Sequence, residues 1–344
     1  MPARSLLAVV ALLIAPGALA GQNELTIVTR NDATQAGFLS AYGQPFSKAT
    51  GLPVQMQVWD GGVDALRAQI KQSDNSWDVV LLDPDELATG CSEGLIEKLD
   101  WSAIGGKDHY VPMAISDCGL GAMVADTILS WDKDKIPVAP AWSDFWDVAK
   151  YPGKRGLRKS VRGNLEIALL ADGVAPGDIY KTLSSSDGVD RAFRKLDQLK
   201  PYIVWWSTHA EAGKILASGD VLMTSAPSAQ IVMMADQQHR NFGMQFAGGL
   251  YEVQSWAILK GSPMLRGAQQ FLYFTGMPAV EQRLLQGSGE AGLAKGLTEG
   301  LPPELAAMSA SNPANLANAL KLDIAFWHDN LPKLRQRFET WLGH

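Results

Sequence analysis

Groups that carry most catalytic chemistry are scarce in this chain. Its 344 residues hold five histidines and two cysteines. His109, His209, His239, His328 and His344 form neither an HExxH pattern nor an i, i+4 pair, so the usual sequence sign of a zinc site is missing. WDKDK (Trp131 to Lys135) alternates its acids but lacks the glycine and distal glutamate of a calcium loop. GSGEAG (Gly287 to Gly292) is neither GxGxxG nor a phosphate loop, because no lysine-serine pair follows, and it reads as a flexible loop. There is no CxxC and no nucleophile elbow. No cofactor is called for, and the only enzyme reading left casts Asp83 and Glu252 as the acid-base pair of a carboxylate-dependent hydrolase.

Long apolar runs are also lacking. After residue 20 no segment offers about 18 uninterrupted apolar residues, so no membrane span is expected in the mature chain. Basic runs are absent too: 30 Lys+Arg face 36 Asp+Glu for a net charge of −6, which becomes −7 once a leader carrying only Arg4 is removed. That sign excludes a nucleic-acid-binding surface and mildly favours small cations.

The leader itself is what the first twenty residues supply. MPARSLLAVVALLIAPGALA has one arginine, an apolar run from Leu6 to Ile14, a Pro16-Gly17 break and a small-x-small end. This is the pattern of a cleavable secretory signal, too short to span a bilayer. The mature protein is expected to begin near Gly21, in the periplasm. About 324 residues then remain of the 344, more than one core usually organises, so two lobes are expected. In an exported chain the pair Cys91 and Cys118 suggests a disulfide worth about 3 to 4 kcal/mol; the other reading is two buried free thiols.

Strands and helices alternate along the chain. ELTIVT (Glu24 to Thr29), TGLPVQMQVW (Thr50 to Trp59) and WDVVLLD (Trp77 to Asp83) read as strands, separated by helical patterns around Phe38, Tyr42 and Phe46 and over Ala65 to Gln72. This spacing implies βαβ units and a parallel sheet in an α/β fold. The rhythm restarts after about residue 126. Further strands are read at Cys118 to Asp126 and Asp220 to Ala226, with helices after Gly163, over Gly188 to Leu199, over Leu265 to Phe274 and along a tail from Leu316 to Leu342. The stretch GGLYEVQSWAI (Gly248 to Ile258) stands out, because a buried-looking strand carries Glu252 and Gln254 on one face with Trp256.

Ligands of open parallel sheets sit beyond the carboxyl ends of the strands. Arg30-Asn31-Asp32 follows the first strand and Asp83-Pro84-Asp85 the third, so both groups should face one crevice.

The order of these elements, together with TGLPVQMQVW, GLIEKLDW (Gly94 to Trp101), YPGKRGLR (Tyr151 to Arg158), ALLADGV (Ala168 to Val174) and SWAILKGSP (Ser255 to Pro263), resembles the periplasmic solute-binding proteins of polyamine-type ABC transporters, spermidine/putrescine-like. The resemblance implies two α/β lobes, an interlobe cleft and two crossing strands, near Leu120 to Val124 and Tyr251 to Ile258. The lobes would comprise residues 21–122 with 252–300 and residues 123–251 with 301–344. The polar face of YEVQSW would then line the cleft.

Against the polyamine pattern the chain places Arg30 where a tryptophan is expected, with Asn31 beside it, and Asp83 where a serine is expected, with Asp85 two residues on. Glu252 stands near the crossing aromatic, Gln254 at the crossing acid, and Pro227 where a stacking tryptophan often lies. Asp83, Asp85 and Glu252 suit an ammonium or guanidinium group through charge-assisted hydrogen bonds. Arg30 suits a carboxylate, or else forms a salt bridge to Asp83 or Asp32 that only shapes the pocket. Glu166 either reaches the cleft from the second lobe or is simply favoured near a helix N-terminus. Trp206 either stacks on the ligand or is core. The implied function is reversible capture of a polyamine-like amine or an amine-bearing zwitterion such as an ω-amino acid, by a monomer that delivers it to an inner-membrane ABC permease; sensing for a membrane receptor uses the same closed form and is the alternative.

Overall fold

A computed structural model describes residues 24–30, 32–72 and 76–343; the leader and Asn31 lie outside the described residues. Among the described residues nine strands form one continuous sheet: β1 (Leu25–Thr29), β2 (Val54–Val58), β3 (Val79–Leu82), β4 (Leu120–Asp132), β5 (Arg155–Arg158), β6 (Ile203–Trp206), β7 (Met223–Ala226), β8 (Phe242–Ile258) and β9 (Leu320–Lys321). Their order is β2-β1-β3-β8-β4-β7-β5-β6, with β9 beside β8. The pairs β1–β2, β1–β3, β5–β6 and β5–β7 are parallel, whereas β4 and β8 run antiparallel to each other and to their outer neighbours.

Two separate cores follow from that order. Beside β1 to β3, Phe38, Tyr42, Phe46 and Phe271 surround Trp256, which meets Phe38 edge-on at 5.1 Å and Phe271 at 5.8 Å. Beside β5 to β7, Phe145, Leu157, Leu165, Phe193, Trp327 and Phe338 pack together. Each fully buried apolar side chain of this size contributes about 1.5–3 kcal/mol. β8 pairs with β3 in the first lobe, β4 pairs with β7 in the second, and the two pair with each other from Leu120 opposite Trp256 to Asp132 opposite Phe242. They are the crossing strands of the two-lobe periplasmic binding protein fold.

Both crossings are longer than the sequence pattern suggests. β4 runs on past Asp126, where the strand pattern stops, to Asp132, and β8 begins at Phe242. The helical tail is likewise interrupted: β9 falls between the short helix Pro313–Leu316 and the long helix Ile324–Gly343. Leu301, Leu305, Ala310 and Leu316 pack against the first core, while Trp327, Leu334 and Phe338 belong to the second. We therefore place the return to the second lobe near residue 317 instead of 301.

Arg155 shows how the second lobe fixes its cleft-facing edge. Its fully buried guanidinium donates to the carbonyls of Phe145 at 2.7 Å, Gly153 at 2.8 Å and Tyr151 at 2.6 Å. The Tyr151–Gly153 turn is thereby satisfied internally, and β5 is carried forward until Arg158 emerges at its carboxyl end. In the first lobe Cys91 and Cys118 are joined, with Cα atoms 5.8 Å apart.

Candidate functional site

A cavity of about 400 Å³ opens where the crossing strands leave the two cores. Strand periodicity builds its floor: Leu250, Glu252 and Gln254 of β8 line it, and so do their direct partners Thr127, Ala125 and Met123 on β4. Trp256, on the same nominal face, has already passed into the first core and is 1% exposed.

Strand ends and helix starts supply the walls. Arg30 follows β1 and Asp83 follows β3, as the carboxyl-end rule predicts. The two are bonded to each other: Arg30 Nη2 donates to Asp83 Oδ2 at 3.0 Å, and the same guanidinium pairs with Glu86. Glu86 also accepts from the backbone N–H of Asp83 at 3.0 Å and of Gly62 at 2.6 Å. Gln254 Nε2 donates to the other oxygen of Asp83 at 2.7 Å. The guanidinium carbon of Arg30 lies 4.7 Å from the centre of the Trp59 ring. Arg30 is thus the salt-bridged alternative: its charge is spent on Asp83 and Glu86. Glu86 had a sequence signal, the Asp-x-x-Glu capping pattern over Asp83 to Glu86 at the start of the helix Pro84–Ser92.

Glu252 lines the cavity and pairs with Arg162. Burial pushes its carboxyl up to about 7, with Arg162 opposing and Asp83 and Asp85 adding to the rise. Asp85 stands close enough to act on Glu252 in this way but does not line the cavity.

Glu166 and Trp206 are turned away. Glu166 accepts from Trp327 Nε1 at 2.6 Å, from the Tyr180 hydroxyl at 2.9 Å and from the Gly163 N–H at 3.0 Å, so it caps its helix and ties it to the C-terminal helix. Full burial raises its carboxyl above the usual range. Trp206 packs with Ala212, Leu216, Val221 and Ile231 in a side cluster of the second lobe, beneath the cavity wall. Both are lobe structure. A carboxylate close to a helix start and an indole at a strand end look the same in sequence whichever way they point.

The second lobe contributes groups that the sequence pattern did not single out. Arg158 lines the cavity with its guanidinium free of any ion-pair or hydrogen-bond partner among the described residues, the guanidinium carbon 5.9 Å from the Trp206 ring centre. His209, at the start of the helix His209–Ala217, is pushed down to about 4 by desolvation first and the Arg158 charge second, so it is neutral at pH 7. Arg158 sits in the phrase YPGKRGLR, but nothing in that phrase separates it from Arg155, which is buried in the core. Among the described residues no group of three or more His, Cys, Asp or Glu is arranged to hold a metal ion, and no helix is long and apolar enough to cross a membrane.

Comparison with known proteins agrees with this geometry. The family model for bacterial extracellular solute-binding proteins matches residues 41–315. A gamma-aminobutyric acid-binding protein of Pseudomonas aeruginosa is 37% identical over 338 residues, covering 98% of this chain and 96% of that protein. Among solved structures, an ABC transporter substrate-binding protein from Bradyrhizobium japonicum superposes with a TM-score of 0.81 at 29% identity, over 93% of this chain and 99% of that one. A GABA receptor structure gives a TM-score of 0.80 at 26% identity, over 93% and 98%. A spermidine/putrescine-binding protein from Streptococcus pneumoniae, at 17% identity and a TM-score of 0.75, shares the fold alone. The likeness to polyamine binders is therefore one of architecture, and the chain belongs to the bacterial extracellular solute-binding proteins, which are binding proteins and not enzymes.

Proposed function

We propose that this chain is the periplasmic substrate-binding component of an ABC importer for a small ω-amino acid of the GABA type. The observation that carries the reading is Arg158: an unpaired guanidinium facing a cavity that Asp83, Asp126, Glu252 and Glu290 also line, where Arg30 and Arg162 are already paired with carboxylates. A planar fork left free in a partly dry site matches a ligand carboxylate, and a diamine has nothing to offer it. The acids on the same walls suit an ammonium, so the ligand carries both signs. The relative named for GABA, matched along nearly the whole chain, supports the same chemistry.

Arg30, Asp83, Glu252 and Gln254 act in this reading as a pre-assembled wall. Their charges are largely paired, Arg30 with Asp83 and Glu86 and Glu252 with Arg162, which keeps the wall polar without making it a second anion or cation site. Export through the leader, work as a monomer and hinge closure of the lobes on the solute complete the proposal. Calorimetry of the mature protein with GABA, putrescine and butyrate tests it. GABA should bind, and putrescine and butyrate, each offering charge of one sign only, should bind at least tenfold more weakly. Preference for putrescine would overturn the zwitterion reading.

A further inference from the structure

One part of the cavity is left without a counter-ion. Asp126 on β4 and Glu290, in the loop after the helix Pro278–Ser288, both line it, and neither has a cationic partner among the described residues. Asp126 Oδ1 accepts from the Ser228 N–H at 2.8 Å, but Oδ2 is buried with no partner. Ser225 of β7 lines the same cavity; it is 1% exposed, and its hydroxyl too is buried and unpartnered. Native structures rarely leave such atoms unsatisfied, because a buried polar atom without a partner is destabilising unless a ligand completes it.

We propose that Asp126, Glu290 and Ser225 form the ammonium-binding end of the cavity, with Arg158 at the carboxylate end. This rests on the ω-amino acid reading above. An –NH₃⁺ group brings three donors and one positive charge, which is what two carboxylates and a hydroxyl oxygen lack here. The charges acting on Arg158 are Glu252, Arg162 and Asp83, whereas Glu290 feels Asp126. Desolvation raises the Asp126 carboxyl to about 6, and desolvation followed by the Asp126 charge raises Glu290 to about 7. A bound cation reverses both costs. Tyr42 also feels the Glu290 charge: burial, then the charges of Glu281 and Glu290, keep its phenol protonated, with Arg283 opposing. Glu281 is turned to the N–H of Ala294 at 2.6 Å.

The test is calorimetry of the full mature chain with GABA and 5-aminovalerate, for the wild type, Asp126→Asn and Glu290→Gln, each checked for folding by thermal unfolding. At pH 7.5 both variants should lose at least tenfold in affinity. Between pH 5 and 8 the wild-type affinity should rise as the two acids ionise, and in Glu290→Gln that rise should shrink. Should Asp126→Asn fail to fold, the Glu290→Gln values decide alone. Wild type that binds GABA, with folded variants that bind it within twofold and keep the same pH dependence, would refute the subsite while leaving the ω-amino acid reading intact. Wild type that binds neither amino acid would overturn that reading and the subsite with it.

Discussion

Replacing Arg158 by alanine separates capture from folding, because in the ligand-free protein its guanidinium meets no ion-pair partner and stands beside the like charge of Arg162. Removing it should cost the fold less than about 1 kcal/mol, the ordinary range for a side chain with no buried network. A carboxylate held by a charge-assisted fork loses about 1.5 to 3 kcal/mol when the fork is deleted. That corresponds to roughly a tenfold to hundredfold rise in the dissociation constant for GABA. A second readout reports on the same charge without any ligand. Desolvation and Arg158 hold the His209 imidazole down to about 4, so the variant should titrate higher. Calorimetry gives the first number and an NMR titration of the imidazole the second. If GABA affinity stays within twofold while His209 moves as expected, Arg158 is a bystander to binding. If neither changes, the electrostatic picture of the wall is itself wrong.

Two further outcomes concern the apo protein. Burial lifts Glu281 to about 8 and Glu252 and Glu290 to about 7, above their unfolded values near 4.5, so all three bind protons more tightly when folded. Their contribution is full below that unfolded value and is lost as pH rises toward 8. His209 acts in the opposite sense between about 4 and 6.5, so the decline should show cleanly above pH 6.5. Thermal unfolding of ligand-free protein from pH 6.5 to 8.5 should show a falling midpoint, and Glu281→Gln should flatten it; a rising midpoint would contradict the assignment. Cys91 and Cys118 close a loop of 27 residues, for which the chain-entropy model gives about 3.5 kcal/mol, so thiol titration of the unfolded, unreduced chain should find no free thiol and reduction should lower the unfolding midpoint. Two titratable thiols would refute the bond.

The fold was legible because the βα rhythm is carried by short apolar strands such as VVLL, whose burial on both faces leaves little room for another arrangement. The crossing role of β8 was legible only through the family resemblance: the alternation of Glu252 and Gln254 with apolar residues marks a polar face, which a solvent-facing edge strand would also carry. What sequence hid was charge pairing at long range. Arg30 and Asp83 are 53 residues apart, and Arg162 and Glu252 are 90 apart. No local pattern says which of these charges cancel, and so none says that the Arg158 guanidinium, within a turn phrase, is left without an ion pair at the cavity. Asp126 was hidden differently. It ends a stretch that reads as strand, and only the β4 register, which sets it opposite Tyr251, carries it to the point where the core stops.

The alternation along β8 also bears on how this scaffold can change its diet. Tyr251 and Val253 lean on the first-lobe core and hold the strand in place, while Glu252 and Gln254 between them face the cavity. Adhesion and taste are thus written on separate sides of one ribbon. Point substitutions at 252 and 254 can retune which solute is accepted without loosening the seam between the lobes, whereas inserting or deleting a single residue would turn the ribbon over and exchange the two texts. Variation that swaps residues at fixed length is the route open to a new ligand, and a frame change within this strand is the route closed.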